Sequence, residues 1–277
     1  GADVTDVTWA PPAHDEGVAN ALARLINHPD IEAANRTAFD RYLAAQPTLT
    51  GIGTARDVLD GLPDRMILHS GPPIAWSEMC EPVKGAIIGA CMYEGWADSP
   101  EAAAELAGSG NIDFSPCHHF GAVGPMAGII SPSMPLWVIH DPVHDHTTYS
   151  NLNEGLGKVL RFGANAPEVI EHLRWMGAVL APALTATLEK LGPLELKPLM
   201  AQALHMGDEV HNRNAAASAL LIKRLIPAAL DAGLAPQTLS AVVKFINSND
   251  HFFLNLSMAA CKSMLDAAHG VAGSSMV

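Results

Sequence analysis

The feature that most constrains this chain is a change of apolar period near residue 150. Before it, short β-branched runs alternate with amphipathic segments. After it the apolar spacing is 3.6, and the breaks fall at Gly, Pro or Asn. The first part predicts strands at 3–9, 48–51, 65–69, 127–130, 136–140 and 147–150, with helices at 16–27, 31–46, 55–62, 76–93 and 100–107 between them. The second part predicts helices at 167–191, 196–206, 214–230, 236–246 and 252–268. The expected fold class is α+β, with an α/β domain over 1–150 and a mainly helical region over 151–277 packed on it.

Charge narrows the partners. Sixteen Lys and Arg against 29 Asp and Glu leave a net charge of −13. A nucleic-acid or anionic-membrane surface needs a basic excess, so neither partner is expected. No uncharged apolar run reaches the roughly 18 residues of a membrane span, and no signal peptide is apparent, so a soluble, cytoplasmic protein is expected. Cys80, Cys91, Cys117 and Cys261 lack paired spacing and read as reduced thiols.

Two glycine motifs fail as nucleotide sites. Gly51 and Gly53 sit where a dinucleotide-binding turn would, but Arg56 stands at the third glycine, so a tight strand-to-helix turn is the better reading. In the segment 154–158, Leu152 and Val159 replace residues a phosphate loop requires. What remains is an expected helix start with Asn153, Glu154, Lys158 and Arg161 nearby. Lys158 and Arg161 would then lie on adjacent turns at an anion-favouring terminus.

Four further stretches concentrate polar chemistry. Residues 114–126 set Cys117, His118 and His119 among glycines. They offer too few ligands for a zinc site and read as a substrate-facing loop with an acid/base histidine. Residues 140–146 hold His140, Asp141, His144, Asp145 and His146, and read as a solvated turn between strands. Residues 205–214 crowd Asp208, Glu209, His211, Arg213 and Asn214 between two apolar helices. Arg213 suits a carboxylate, and Asn212 or Asn214 suits a helix cap. Residues 249–255 open the last helix, with Asn249 or Asp250 as cap, His251 in the first turn and Asn255 one turn on.

Taken in order, Leu68-His69-Ser70-Gly71-Pro72-Pro73, Tyr93-Glu94-Gly95-Trp96, Ser115-Pro116-Cys117-His118-His119, Gly121-Ala122-Val123-Gly124-Pro125-Met126, Asn153-Glu154-Gly155-Leu156-Gly157-Lys158, His205-Met206-Gly207-Asp208-Glu209, His211-Asn212-Arg213-Asn214 and Asn249-Asp250-His251-Phe252-Phe253-Leu254-Asn255 resemble the YlbE-like family over nearly the whole chain. The family was long catalogued as a domain of unknown function and is encoded beside FdrA-like and YlbF-like proteins. The resemblance implies a multi-part α+β fold with a helical subdomain. It also implies that this sequence is an incomplete chain, because family members extend past both ends. The implied role is one subunit of oxamate carbamoyltransferase in allantoin breakdown, exchanging oxalurate and phosphate for oxamate and carbamoyl phosphate.

That reaction would need an anion site, donors to a carbonyl oxygen, a carboxylate clamp and a proton carrier. Lys158 and Arg161 are the candidates for phosphate and Arg213 for the carboxylate. Asn153, Asn214 or Asn255 would donate to oxygen, and His118, His119 or His251 would carry the proton. Glu154 and His211 complete the catalytic set, and His69, Asp208, Glu209 and Asn249 the substrate-binding set. Neither a cofactor nor a metal is expected. The Ser-Thr-Arg-Thr phosphate motif of aspartate and ornithine carbamoyltransferases is absent. Expected partners are a small anionic substrate, phosphate, FdrA-like and YlbF-like subunits and further copies of the chain. Two other readings stay open at this point: an amide or ureide hydrolase, processed at the Ser274-Ser275 segment, and a non-catalytic scaffold subunit.

Overall fold

The computed structural model describes Thr8 and residues 16–26, 28–125 and 127–275; the strand expected at 3–9 lies outside this set. The chain forms two compact units, one of Gly1–Ala44 with Leu265–Val277 and one of Ala45–Met264. In the smaller, α1 (Glu16–Ile26) and α2 (Pro29–Ala44) each carry acid in the first turn and arginine in the last, matching the helix dipole.

The larger unit begins with β1 (Thr48–Thr54), α3 (Ala55–Val58), β2 (Met66–His69), α4 (Glu81–Tyr93), α5 (Pro100–Gly108), β3 (Asp113–Pro116), β4 (Ala122–Val123), β5 (Ile129–Ile130), β6 (Pro135–Asp141) and β7 (His146–Asn151). Then come α6 (Pro167–Trp175), α7 (Ala181–Leu191), β8 (Leu194–Glu195), α8 (Leu196–His205), α9 (Ala215–Asp231), α10 (Pro236–Ser248) and α11 (Leu254–Ala268), the last belonging to this unit as far as Met264. The fold is α+β. One sheet has the order β4-β7-β6-β1-β8, and a smaller one the order β3-β2-β5 with β2 and β3 parallel.

β6 is central in the larger sheet, and Leu136, Trp137 and Ile139 are fully buried on it. Trp137 meets Phe252 edge-on at 5.9 Å, and Phe252 meets Phe245 likewise, tying sheet to helices. The change of apolar period near residue 150 falls inside this unit, where β7 gives way to helices.

Three local expectations need correction. Gly51 and Gly53 form no strand-to-helix turn: β1 continues through them, bulged between Leu49 and Gly51, and a side chain at Gly53 would strike Val58. The helix expected at 55–62 lasts one turn, ending before the left-handed Gly61 and Pro63. The helix expected at 76–93 is a short 3-10 turn at Trp76–Glu78 and then α4, restarted by Pro82 in its first turn. The 167–191 helix does run through, but with a π turn at Met176–Leu180 ahead of Pro182, where a wider turn accommodates a residue without an N–H.

Short strands β3, β4 and β8 carry no alternation that sequence could reveal. No helix among the described residues is long and apolar enough to cross a membrane.

Candidate functional site

β7 delivers a run of buried polar residues. Asn151, the last residue of β7, and Asn153 and Glu154 beyond it are all under 8% exposed, and past Asn151 no regular backbone ladder continues. Asparagine amides supply the missing partners. Asn255 on α11 donates Nδ2 to the Asn151 carbonyl and side-chain oxygens, each at 2.7 Å, and accepts from Asn153 Nδ2 at 3.1 Å. Asn153 Oδ1 receives Gly155 N–H at 2.9 Å. Asn249 Nδ2 reaches the Asn153 oxygens only at 3.4 Å, while its Oδ1 accepts His251 N–H. Asn249 therefore closes a turn ahead of α11, which starts at Leu254, later than expected.

The segment that follows is not a helix start. Gly155 and Gly157 take left-handed φ of +104° and +89°, and only a 3-10 turn, Leu160–Phe162, forms before α6. Lys158 is consequently exposed, whereas Arg161 folds inward to 4% exposure and donates Nε and Nη2 to Gly155 O at 3.2 and 2.8 Å. The two cations do not share adjacent helical turns. α4 presses against this turn through a glycine pair: a side chain at Gly85 would meet the Gly163 carbonyl, and one at Gly163 the Pro82 backbone.

Arg161 forms no ion pair among the described residues. Glu154, the acid acting on it, has its Oε2 held by Leu160 N–H at 2.6 Å and its carbonyl held by His172 Nε2 at 3.1 Å. Burial pushes the Glu154 carboxyl up to about 7, against weaker pulls from Leu160 N–H and Arg161. The guanidinium also lies 4.6 Å over the Phe162 ring, so Gly155 O and that ring hold it while the nearby acid is only partly ionised, and an added anion would be favoured there.

The 206–214 loop sends some groups inward and leaves others outside. Asp208 is buried and its Oδ2 accepts Ala217 N–H at 2.8 Å, so Asp208 caps α9. Asn212 and Asn214 do not: buried Asn214 donates to His211 O and accepts Phe253 N–H, stitching the loop to the entry of α11. Glu209, His211 and Arg213 remain exposed. His251 is half-buried; burial and Arg161 depress its pKa, while Asp250 and Glu209 oppose and His211 adds to the fall. Together these effects favour the neutral imidazole.

A second group lies at the carboxyl ends of the parallel strands. Pairing of His69 with Pro116 puts the β2 terminus beside the 3-10 turn Cys117–Phe120. His69 is 1% exposed, with Nδ1 bonded to Ser70 O at 3.0 Å and Nε2 buried without a partner. His118 and His119 are exposed and edge-on at 4.7 Å, and His119 Nδ1 contacts Ser115 Oγ. Partial desolvation and then His119, Lys262 and His69 lower the His118 pKa. Ser70 Oγ lies 2.7 Å from Pro125 O and near two further carbonyls, pinning the neighbouring turn.

The β6–β7 turn is solvated at Pro142, Val143 and Asp145, as expected, but is anchored from beneath. Asp141 is fully buried, accepting Gln46 and Val143 N–H groups and pairing with His144 at 2.7 Å. Burial raises its pKa, but these bonds outweigh burial and the net shift is downward. His146 bonds Ser263 O at 2.9 Å. Among the described residues no three or more of His, Cys, Asp and Glu are arranged to hold a metal.

A family described as oxamate carbamoyltransferase subunit AllG matches residues 112–277. The chain belongs to the AllG family. It is 42% identical over 279 residues to the uncharacterized protein YahG of Escherichia coli (strain K12), covering 99% of this chain and 59% of that protein. It is 41% identical over 249 residues to the oxamate carbamoyltransferase subunit AllG of the same organism, covering 89% and 59%. A crystal structure of a conserved protein of unknown function from Enterococcus faecalis V583 superposes with a TM-score of 0.86 at 42% identity, over 88% of this chain and 58% of that one. The chain spans about 59% of the length of these curated AllG-family relatives.

In this AllG-family chain, Asn153, Glu154, Arg161, Asn249, His251 and Asn255 come together, with Glu209 and His211 near His251. His69, His118 and His119 form a separate group. Asp208 and Asn214 serve the backbone, and Lys158 and Arg213 face solvent. Sequence reasoning missed Asn151, which reads as the end of a strand, and His172, which reads as a helix surface residue.

Proposed function

We propose that this chain is the subunit of an oxamate carbamoyltransferase-like enzyme that binds the small amide acid and carries its carbamoyl group to or from phosphate, together with FdrA-like and YlbF-like subunits and further copies of itself. The observation that carries the reading is Arg161, a buried guanidinium without an ion-pair partner among the described residues, set among neutral amides. Its remaining N–H groups suit one small carboxylate, and membership of the AllG family supports an acid of the oxamate type.

In this reading the oxalurate carboxylate rests on Arg161. Asn249 Nδ2, whose bonds to Asn153 are long, turns a donor to the ureide oxygen. A hydrogen phosphate oxygen attacks the ureide carbon, the bond to the oxamate nitrogen breaks, and the phosphate hydroxyl proton ends on that nitrogen. In this reading His251, whose lowered pKa favours the neutral imidazole, is the relay. Glu154, near half-ionised, limits the net charge of the loop around Arg161.

The test is reconstitution: full-length protein with both partner subunits, oxalurate and phosphate, and a readout of carbamoyl phosphate. Its absence with every component present rules the reading out.

A further inference from the structure

We propose that the groove between α8 and α9 is a binding site for a nucleoside monophosphate. β8 is the edge of the larger sheet and runs directly into α8, with Glu195 at the junction. Pro198 and Gln202 stand one turn apart on α8, and Leu220, Lys223 and Arg224 share a face of α9. These faces enclose a cavity of about 410 Å³. Ligand pockets span roughly 300–1,000 Å³, so this one has room for a single nucleotide. Leu194, Leu199 and Leu220 supply its apolar wall.

Four polar side chains line the same cavity: Glu195, Gln202, Lys223 and Arg224. Among the described residues none of the four side chains is spent on an ion pair or a hydrogen bond within the protein. Elsewhere, acids and bases a helical turn apart do pair, as Arg36 does with Glu32 and Lys84 with Glu81. Glu195 shares a cavity with two cations and pairs with neither. The gap between them is where a ligand bridges acid and base.

The ligand follows from what each group requires. Lys223 and Arg224 are neighbouring positive charges, which a dianion balances, and a guanidinium fork with an ammonium suits phosphate. A carboxylate only accepts, so Glu195 needs donors on the ligand, as ribose hydroxyls are. Gln202 both donates and accepts, matching the edge of a base, and the leucines cover the base's face. Inorganic phosphate would leave the leucines and Glu195 unused. An apolar amino acid would bring one negative charge against two positive ones. A nucleoside monophosphate meets all four requirements.

Lys223 is nine residues along α9 from Asn214, about 13 Å, and Asn214 is where the chain is tied to the His251 turn. The nucleotide is therefore not a reactant of the carbamoyl transfer proposed above, and its binding does not rest on that reading.

The experiment is calorimetric titration of the full-length protein at pH 7.5 with adenosine monophosphate, adenosine and inorganic phosphate. The monophosphate is expected to bind at least about tenfold tighter than either part alone, because charge-assisted bonds and apolar contact act together. Lys223→Gln and Arg224→Gln should each weaken it about tenfold and leave adenosine unchanged. Glu195→Ala should weaken the monophosphate and adenosine by the same factor and spare phosphate. All three positions are exposed, so the variants should keep the wild-type melting temperature. Lys244→Gln, on exposed α10 surface, should change nothing. Affinity for the monophosphate weaker than about 1 mM overturns the proposal. So does binding that Lys223→Gln and Arg224→Gln leave unmoved, or that Lys244→Gln weakens equally. Phosphate bound as tightly as the monophosphate overturns it too, leaving a simple anion site.

Discussion

The amide network at the start of α11 and the histidine turn after β3 are built by opposite means. Around Asn255, amides of Asn151, Asn153 and Asn249 satisfy one another and the backbone, so the surroundings are neutral, buried and internally tied. At the carboxyl ends of β2 and β3 the side chains are imidazoles, two on a short exposed turn and one buried with an unused nitrogen. The contrast separates two jobs. Amide networks fix geometry without adding charge, and so leave Arg161 as the single strong field in its surroundings. The imidazole turn contributes hydrogen-bond capacity with little packing to hold it.

Arg161→Met is the most severe test of the contrast. In the reconstituted enzyme it should lower kcat/KM about 1,000-fold, or about 4 kcal/mol of transition-state stabilisation. Its stability in urea should change by less than about 1 kcal/mol, because removing an unpaired buried charge offsets the lost bonds to Gly155 O. A large stability loss would make Arg161 a structural residue instead.

The next largest effect is in pH. The folded Glu154 carboxyl lies at about 7, above its usual 4.5. Its contribution to stability is fully present below about pH 4.5 and is lost as pH rises through 7, a change of about 3 kcal/mol over that window. Glu154→Gln should flatten that part of the stability profile. Parallel profiles for the two proteins would contradict the buried-acid account.

Asn255→Leu should then cost about 2–3 kcal/mol in urea unfolding, because it strands the amides of Asn151 and Asn153. His118→Asn, on the exposed turn, should stay within about 0.5 kcal/mol. Similar values for both would erase the distinction between a tied and an untied region.

Legibility in the sequence divides along the same line. Periodicity located β1, β2, β6, β7 and the long helices, because their burial is continuous and one-sided. Asn153, Asn249 and Asn255 stood out because amides amid apolar residues are unusual, and they do meet. Spacing misled at Lys158 and Arg161. Read as a helix they share a face, but two left-handed glycines ahead of Arg161 turn the backbone and send one out and the other in. Asp141 looked solvated because its partners, Gln46 and Val143 N–H, are backbone groups that no pattern announces.

Glu154 has one more effect. Because its proton is shared almost evenly with solvent near neutrality, an anion arriving beside Arg161 raises its affinity for that proton, and loading the acid draws a fraction of a proton from the medium. In the proposed site, the heat of acid binding is then expected to vary with the ionisation enthalpy of the buffer, a proton count that calorimetry in two buffers reads directly.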